Sequence, residues 1–184
     1  MSNQRLFIAC SLPDDVKTWV DEVVPREAFD GARWVPRDNH HVTLKFLGSV
    51  PNDGIESISS ACAQAATASR PALLGMSGLG VFPKLERATV VWIGIVDDEG
   101  LLPGLAGDLD DALEPLGYAR ESRAFSPHVT VARFRVPQRL LQLPRLATDS
   151  PSFEVRAIEL FRSRTGPGGS RYEVVARFPL ASNA

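Results

Sequence analysis

The chain holds three histidines, His40, His41 and His128. All three fall in two stretches, NHHVTLKFLG at 39–48 and SPHVTVARF at 126–134, and each stretch spells His-Val-Thr. On a β-strand, alternate side chains share a face. His41 and Thr43 then point one way, and Val42, Leu44 and Phe46 point the other, toward a core. His128 and Thr130 stand in the same relation to Val129 and Val131. An imidazole and a hydroxyl one pleat apart, presented twice, suit chemistry at a phosphorus centre. Two imidazoles with ordinary pKa values of about 6.5 can divide proton transfer at neutral pH. One takes a proton from a nucleophile and the other gives one to a leaving oxygen. Two hydroxyls can hold non-bridging phosphoryl oxygens in line and stabilise developing charge. His40 fails the alternation test and reads as structural. No carboxylate cluster, cysteine or third spaced histidine accompanies the pair, so a metal hydrolase is disfavoured and no cofactor is expected. The chain carries no P-loop, GxGxxG or GxSxG pattern.

These two tripeptides need a scaffold that brings them together. Apolar runs and periodicity predict strands over 5–10, 41–46, 71–82, 88–96, 128–134, 152–164 and 171–178. Helices are predicted over 13–24, 52–69 and 101–117, the last starting near Pro103 and ending at Gly117. TGPGGS, Thr165–Ser170, reads as the long tip of a hairpin, and the closing ASNA as a frayed end. The order β-α-β ending in an HVT strand occurs at 5–46 and again at 89–134. This weak repeat predicts two similar lobes, each contributing one HVT strand to a shared cleft. The fold class is α+β, with largely antiparallel sheets, outer helices and residues 1–184 as one bilobal domain.

Composition agrees with a globular domain: 184 residues, 44% hydrophobic, 23% charged, mean hydropathy -0.05. No apolar run is long enough to span a bilayer, and the N-terminus lacks the pattern of a signal peptide. Cys10 and Cys62 read as two buried thiols, and a cytoplasmic location is expected. The net charge of -2 argues against broad binding to long nucleic acid. Charge is unevenly spread, however. Residues 1–119 carry 9 Lys/Arg against 17 Asp/Glu, while 120–184 carry 11 Arg against 5 Asp/Glu. Arginine forks well onto phosphate oxygens, so a local anion site fits.

HVTL and HVTV resemble the paired HxTx signatures of the 2H phosphoesterase superfamily, and the chain is most similar to its RNA 2',3'-cyclic phosphodiesterase branch, also called 2'-5' RNA ligase-like. RLFIACSLP, GVFPKLERATVVWIGI and LFRSRTGPGGSRYEVVARF fit the same pattern, so the resemblance covers nearly the whole chain. It implies a bilobal fold around a pseudo-twofold cleft. It also implies metal-independent opening of a 2',3'-cyclic phosphate at an RNA or nucleotide end to a 2'-phosphate, with reverse 2'-5' ligation as the same chemistry run backwards. By motif position His41 becomes the proton donor, His128 the proton acceptor, and Thr43 and Thr130 the phosphate-binding hydroxyls. Arg133 matches a phosphate-contacting arginine. Strict alternation places it on the core face, so it reaches the cleft only where the strand ends or twists first. Phe7 and Phe125 are candidates for stacking on a terminal base, with Arg87, Tyr172, Arg162, Arg164 and Arg171 as weaker candidates for the site. The implied partners are RNA 3' ends or nucleotides bearing a 2',3'-cyclic phosphate, with no membrane and no obligate protein partner. The alternative is a non-catalytic module that binds RNA-end phosphates, although a pure binder has no need of two proton-transfer groups.

Overall fold

The computed structural model describes residues 3–146, 150–166 and 169–181. Its elements are β1 (Asn3–Ser11), α1 (Asp14–Val23), β2 (Arg33–Trp34), β3 (His41–Pro51), α2 (Ile55–Ala68), β4 (Ala72–Phe82), β5 (Ala88–Val96), α3 (Leu101–Leu113), β6 (His128–Gln138), β7 (Ser152–Val155), β8 (Ala157–Gly166) and β9 (Gly169–Pro179). The strands form one sheet in the order β7-β4-β5-β6-β3-β1-β8-β9, with β2 added beside β6, and every recorded pairing is antiparallel.

The predicted repeat is visible in this order. β1 pairs with β3 in one half and β5 pairs with β6 in the other, so each HVT strand lies beside the strand that opened its repeat. The halves meet at β3 and β6 through a single ladder pairing, Val42 with Val129. β1 shows why its sequence is an unbroken apolar run: it is covered on both faces. Leu6, Ile8 and Cys10 enter the main core. Phe7 and Ala9 face the other way and pack with Phe161 in a smaller cluster. The helices supply the opposite wall of the main core with Val16 and Val20 from α1, Ile58 and Cys62 from α2, and Leu102, Leu105 and Leu109 from α3. Cys10 and Cys62 are free, buried thiols, and burial pushes both thiol pKa values up.

Four expectations about elements need correction. The helix expected near Pro103 starts at Leu101, because the Asp97 carboxylate accepts the N–H groups of Leu101 (3.0 Å) and Leu102 (2.8 Å). The strand expected over 152–164 is two strands, β7 on β4 and β8 on β1, parted at Arg156. Neighbouring residues cannot be far apart, so the sheet must curl until the β7 edge comes round to β8. The hairpin expected to carry a long glycine-rich tip is paired as far as Gly166 with Gly169. Pro167 and Gly168 lie outside the described residues, as do residues 182–184 of the expected frayed end. The short strand β2 is an addition that no apolar run announces.

Phe46 is the fourth. Alternation from Val42 assigns it to the core, yet it is 69% exposed. The pairing of β1 with β3 skips Leu44, so Thr43 lies across from Ala9 and Lys45 across from Ile8. This bulge puts two consecutive residues, Leu44 and Lys45, inward and returns Phe46 to the face of His41.

Candidate functional site

The Val42–Val129 pairing brings the two tripeptides side by side. Both valines are fully buried, while His41, Thr43, His128 and Thr130 are part-exposed. Continuing that antiparallel register sets His41 alongside Thr130 and Thr43 alongside His128. Four polar side chains thus share one face at the middle of the sheet, with the imidazoles on one diagonal.

Each ring is oriented by its own backbone. His41 Nδ1 lies 2.6 Å from the carbonyl oxygen of Asn39, and His128 Nδ1 lies 2.6 Å from that of Ser126. A carbonyl only accepts, so Nδ1 carries the hydrogen in both rings and Nε2 is left for other partners. In the neutral ring, His41 Nε2 accepts from the Thr43 hydroxyl at 2.9 Å. Asn39 is itself tied down, its side-chain amide donating to the carbonyl of Ser170 at 2.7 Å.

Aromatic rings surround both imidazoles. Phe7 (5.0 Å between centroids), Tyr172 (5.3 Å, edge-on) and Phe161 (6.1 Å) pack around His41. Phe82 (5.0 Å, edge-on) and Trp92 (5.8 Å) pack around His128. These walls disfavour charge. Burial, the largest influence, lowers the His41 pKa to about 4. The Asn39 carbonyl opposes this, while His40, Arg133 and His128 add to it. Burial also lowers the pKa of His128, against the Ser126 carbonyl and with help from Arg133. His40 is 3% exposed, on the inner side as expected, and burial lowers its pKa too.

Arg133 reaches this face by the device that moves Phe46. The pairing of β5 with β6 skips Val131, so Trp92 lies across from Thr130 and Val91 across from Ala132. Val131 and Ala132 both turn inward, and Arg133 emerges exposed on the side of His128 and Thr130. Its charge is felt by both imidazoles. The two bulges are equivalent, so Phe46 on β3 is the counterpart of Arg133 on β6. Lys45, turned inward by the first bulge, is buried in an ion pair with Asp110 of α3 and donates to the carbonyl of Ala119 at 2.5 Å.

The expected stacking residues fare differently. Phe7 is at the site but only 4% exposed. It stacks on Phe161 (5.1 Å, planes 9° apart) and meets Tyr172 edge-on, so its faces are already covered and it floors the pocket of His41. Phe125 is half-buried and packs against the main core. Of the weaker candidates, Tyr172 joins the wall of His41, while Arg162 and Arg164 are drawn to Glu173 at 3.4 Å and Arg87 and Arg171 are exposed. Sequence reasoning missed Asn39, Ser126, Phe82, Trp92 and Phe161. One signal for Trp92 was available: it pairs with Gly80, where an added Cβ would sit 2.1 Å from the indole ring.

Two His-x-Thr pairs, one from each half of a pseudo-twofold antiparallel sheet, define the 2H class of phosphoesterases. Within that class the chain belongs to the LigT-like phosphoesterase family, whose model matches residues 7–92 and again 93–172. Curated relatives from several organisms bear the name RNA 2',3'-cyclic phosphodiesterase. The one from Geobacillus stearothermophilus is 32% identical over 98% of this chain, which spans 58% of that relative's length. The one from Methanocaldococcus jannaschii is 28% identical, over 93% of this chain and 98% of the relative. Among solved structures, TT0787 of Thermus thermophilus superposes with a TM-score of 0.84 at 28% identity, over 98% of this chain and 100% of that one. Escherichia coli LigT complexed with 3'-AMP superposes with a TM-score of 0.80 at 27% identity, over 97% and 99%.

Proposed function

We propose that this protein opens 2',3'-cyclic phosphate ends of RNA or nucleotides to a 2'-phosphate, without a metal, by acid–base catalysis between His41 and His128. Thr43, Thr130 and Arg133 bind the phosphate. The observation that carries the reading is the pair of Nδ1–H bonds to Asn39 and Ser126, which leave Nε2 as the reactive atom of both rings. Water attacks phosphorus opposite O3' and gives its proton to His128 Nε2. The P–O3' bond breaks and O3' takes a proton from His41 Nε2. The products are a 2'-phosphomonoester and a free 3'-hydroxyl, and solvent restores both rings. An RNA 5'-hydroxyl in place of water makes a 2'-5' linkage by the same step.

One observation favours the opposite division of labour. The His41 ring, its pKa lowered by burial to about 4, is neutral at pH 7 and better placed to accept a proton than to give one. The donor role requires the bound phosphate to recharge it. A substrate with sulfur in place of O3' needs little help from an acid, so it rescues the donor variant and not the acceptor variant. His41→Ala is rescued under the reading above, and rescue of His128→Ala instead reverses the roles. The primary test is a 2',3'-cyclic nucleotide incubated with EDTA and followed by phosphorus NMR. The expected outcome is a 2'-phosphate, lost in either histidine variant by several orders of magnitude. Binding without turnover, or turnover that survives either substitution, refutes the proposal.

A further inference from the structure

β2 is two residues long, and its placement is fully determined. Trp34 pairs with Ala132, and the Val35 N–H donates to the Val131 carbonyl at 2.9 Å. The Trp34 ring packs toward the main core, edge-on to Phe29 at 6.1 Å, with the Arg26 guanidinium 5.0 Å above it. Packing the half-buried Trp34 against the core puts its neighbour Arg33 on the opposite face. Arg33 pairs directly with Arg133, so the two side chains share the site face one strand apart. Both are exposed, and neither forms an ion pair among the described residues. Like charges directly across a ladder repel. The fold therefore holds a second guanidinium beside the first, at a cost that an anion lying between or along them would remove.

We propose that Arg33 binds the phosphodiester upstream of the reacting terminus, so that the site takes an oligonucleotide end in preference to a mononucleotide. This rests on the phosphoesterase reading above. Arg133 serves the reacting phosphate, and Arg33, across from it on the edge of β6 that β3 also pairs, meets the next phosphate of the chain. A free cyclic mononucleotide has no such group and leaves Arg33 unused.

The experiment compares a 2',3'-cyclic mononucleotide with a dinucleotide of the same terminal base ending in a 2',3'-cyclic phosphate. Arg33→Ala lowers kcat/KM for the dinucleotide about ten- to a hundredfold, as loss of a charge-assisted bond does. It leaves the mononucleotide unchanged. Its salt slope on the dinucleotide flattens by about 0.7, one phosphate contact on a single strand. Arg33→Lys restores the slope and part of the rate. Equal loss on both substrates, or loss on neither, overturns the inference. Wild-type protein that turns over neither substrate refutes the catalytic reading instead. Affinity for a 2'-phosphorylated dinucleotide against a nucleoside 2'-phosphate then decides the role of Arg33 by the same selective loss. Arg33 is exposed, so folding of the variant is checked by its melting curve alone.

Discussion

At His41 the surroundings of one imidazole set a measurable pH dependence. An unfolded chain binds this proton at a pKa of about 6.5, and the folded chain only near 4. Between those values the unfolded state holds more protons, so stability rises with pH across that window and is lost as pH falls through it. The contribution is on the order of 3 kcal/mol. Urea titrations of wild type and His41→Gln between pH 4 and pH 7 measure it, and the variant shows the shallower acid loss. An unchanged slope contradicts the depressed pKa. Phosphate acts in the opposite direction, since an anion beside the ring stabilises the imidazolium. Adding inorganic phosphate raises the titration midpoint of His41 observed by NMR, and a midpoint indifferent to phosphate places the anion elsewhere.

The residues with polar work at the centre of the strands were legible for a physical reason. Alternation over three residues survives any later irregularity, so His41, Thr43, His128 and Thr130 share a face as expected. Phe7 was not legible as a floor residue, because an apolar strand reads alike whether its outer face meets solvent, a base or another ring. The rings that cover it include Phe161 and Tyr172, the first 154 positions away in the chain.

Among the elements, the bulges decide the outcome. Alternation fails at Phe46 and Arg133 because each HVT strand gains a residue directly after its working triplet. In the second copy the shift is written in the sequence. Val129 and Val131 keep one phase, and Ala132 and Phe134 adopt the other. In the first copy Lys45 hides it, since a lysine at the shifted inward position looks like a solvent residue. Its burial is made tolerable by Asp110, whose carboxyl is held below the usual range by the Lys45 ammonium and the Glu121 N–H despite burial, which acts to raise it. Lys45→Ala leaves that carboxylate without its cation and is expected to cost about 3–5 kcal/mol in urea unfolding. The loss is expected to be accompanied by reduced site function, because Lys45 secures the bulge below Thr43 to α3. Replacing Lys45 and Asp110 together by apolar residues recovers much of the stability. A double variant no better than the single one locates the loss in packing rather than in unpaired charge.

For the whole molecule, the chain crosses repeatedly between halves, and neither half is expected to stand alone. The basic C-terminal segment does not form a basic lobe: β6 and β7 belong to one half and β8 and β9 to the other. β4, which follows the first HVT strand, lies beside β5 in the opposite half, and β8, which follows β7, crosses back to lie beside β1. The helices cross as well. Trp19 of α1 lines a cavity with Met76 and Leu79 of β4, and α3, from the second repeat, packs on β3 of the first. One apolar cluster consequently runs through both halves. A shared core and swapped strands predict a single cooperative transition, with far-UV circular dichroism and tryptophan fluorescence coinciding through the urea titration. Trp34 and Trp92 lie on β2 and β5, and Trp19 of α1 packs by β4, so fluorescence reports on β6's half, whereas dichroism includes α2 and α3 over the other half. A fragment ending at Val96 retains the first repeat entire but lacks β6 and β8. Without β8, Phe7 and Ala9 lose Phe161, and without β6 the Val42 edge is bare. The fragment is therefore expected to be unfolded despite containing a complete HVT unit. Two separated transitions in the intact chain, or a folded fragment, would show that the halves are autonomous and that the shared cluster contributes little to their cohesion.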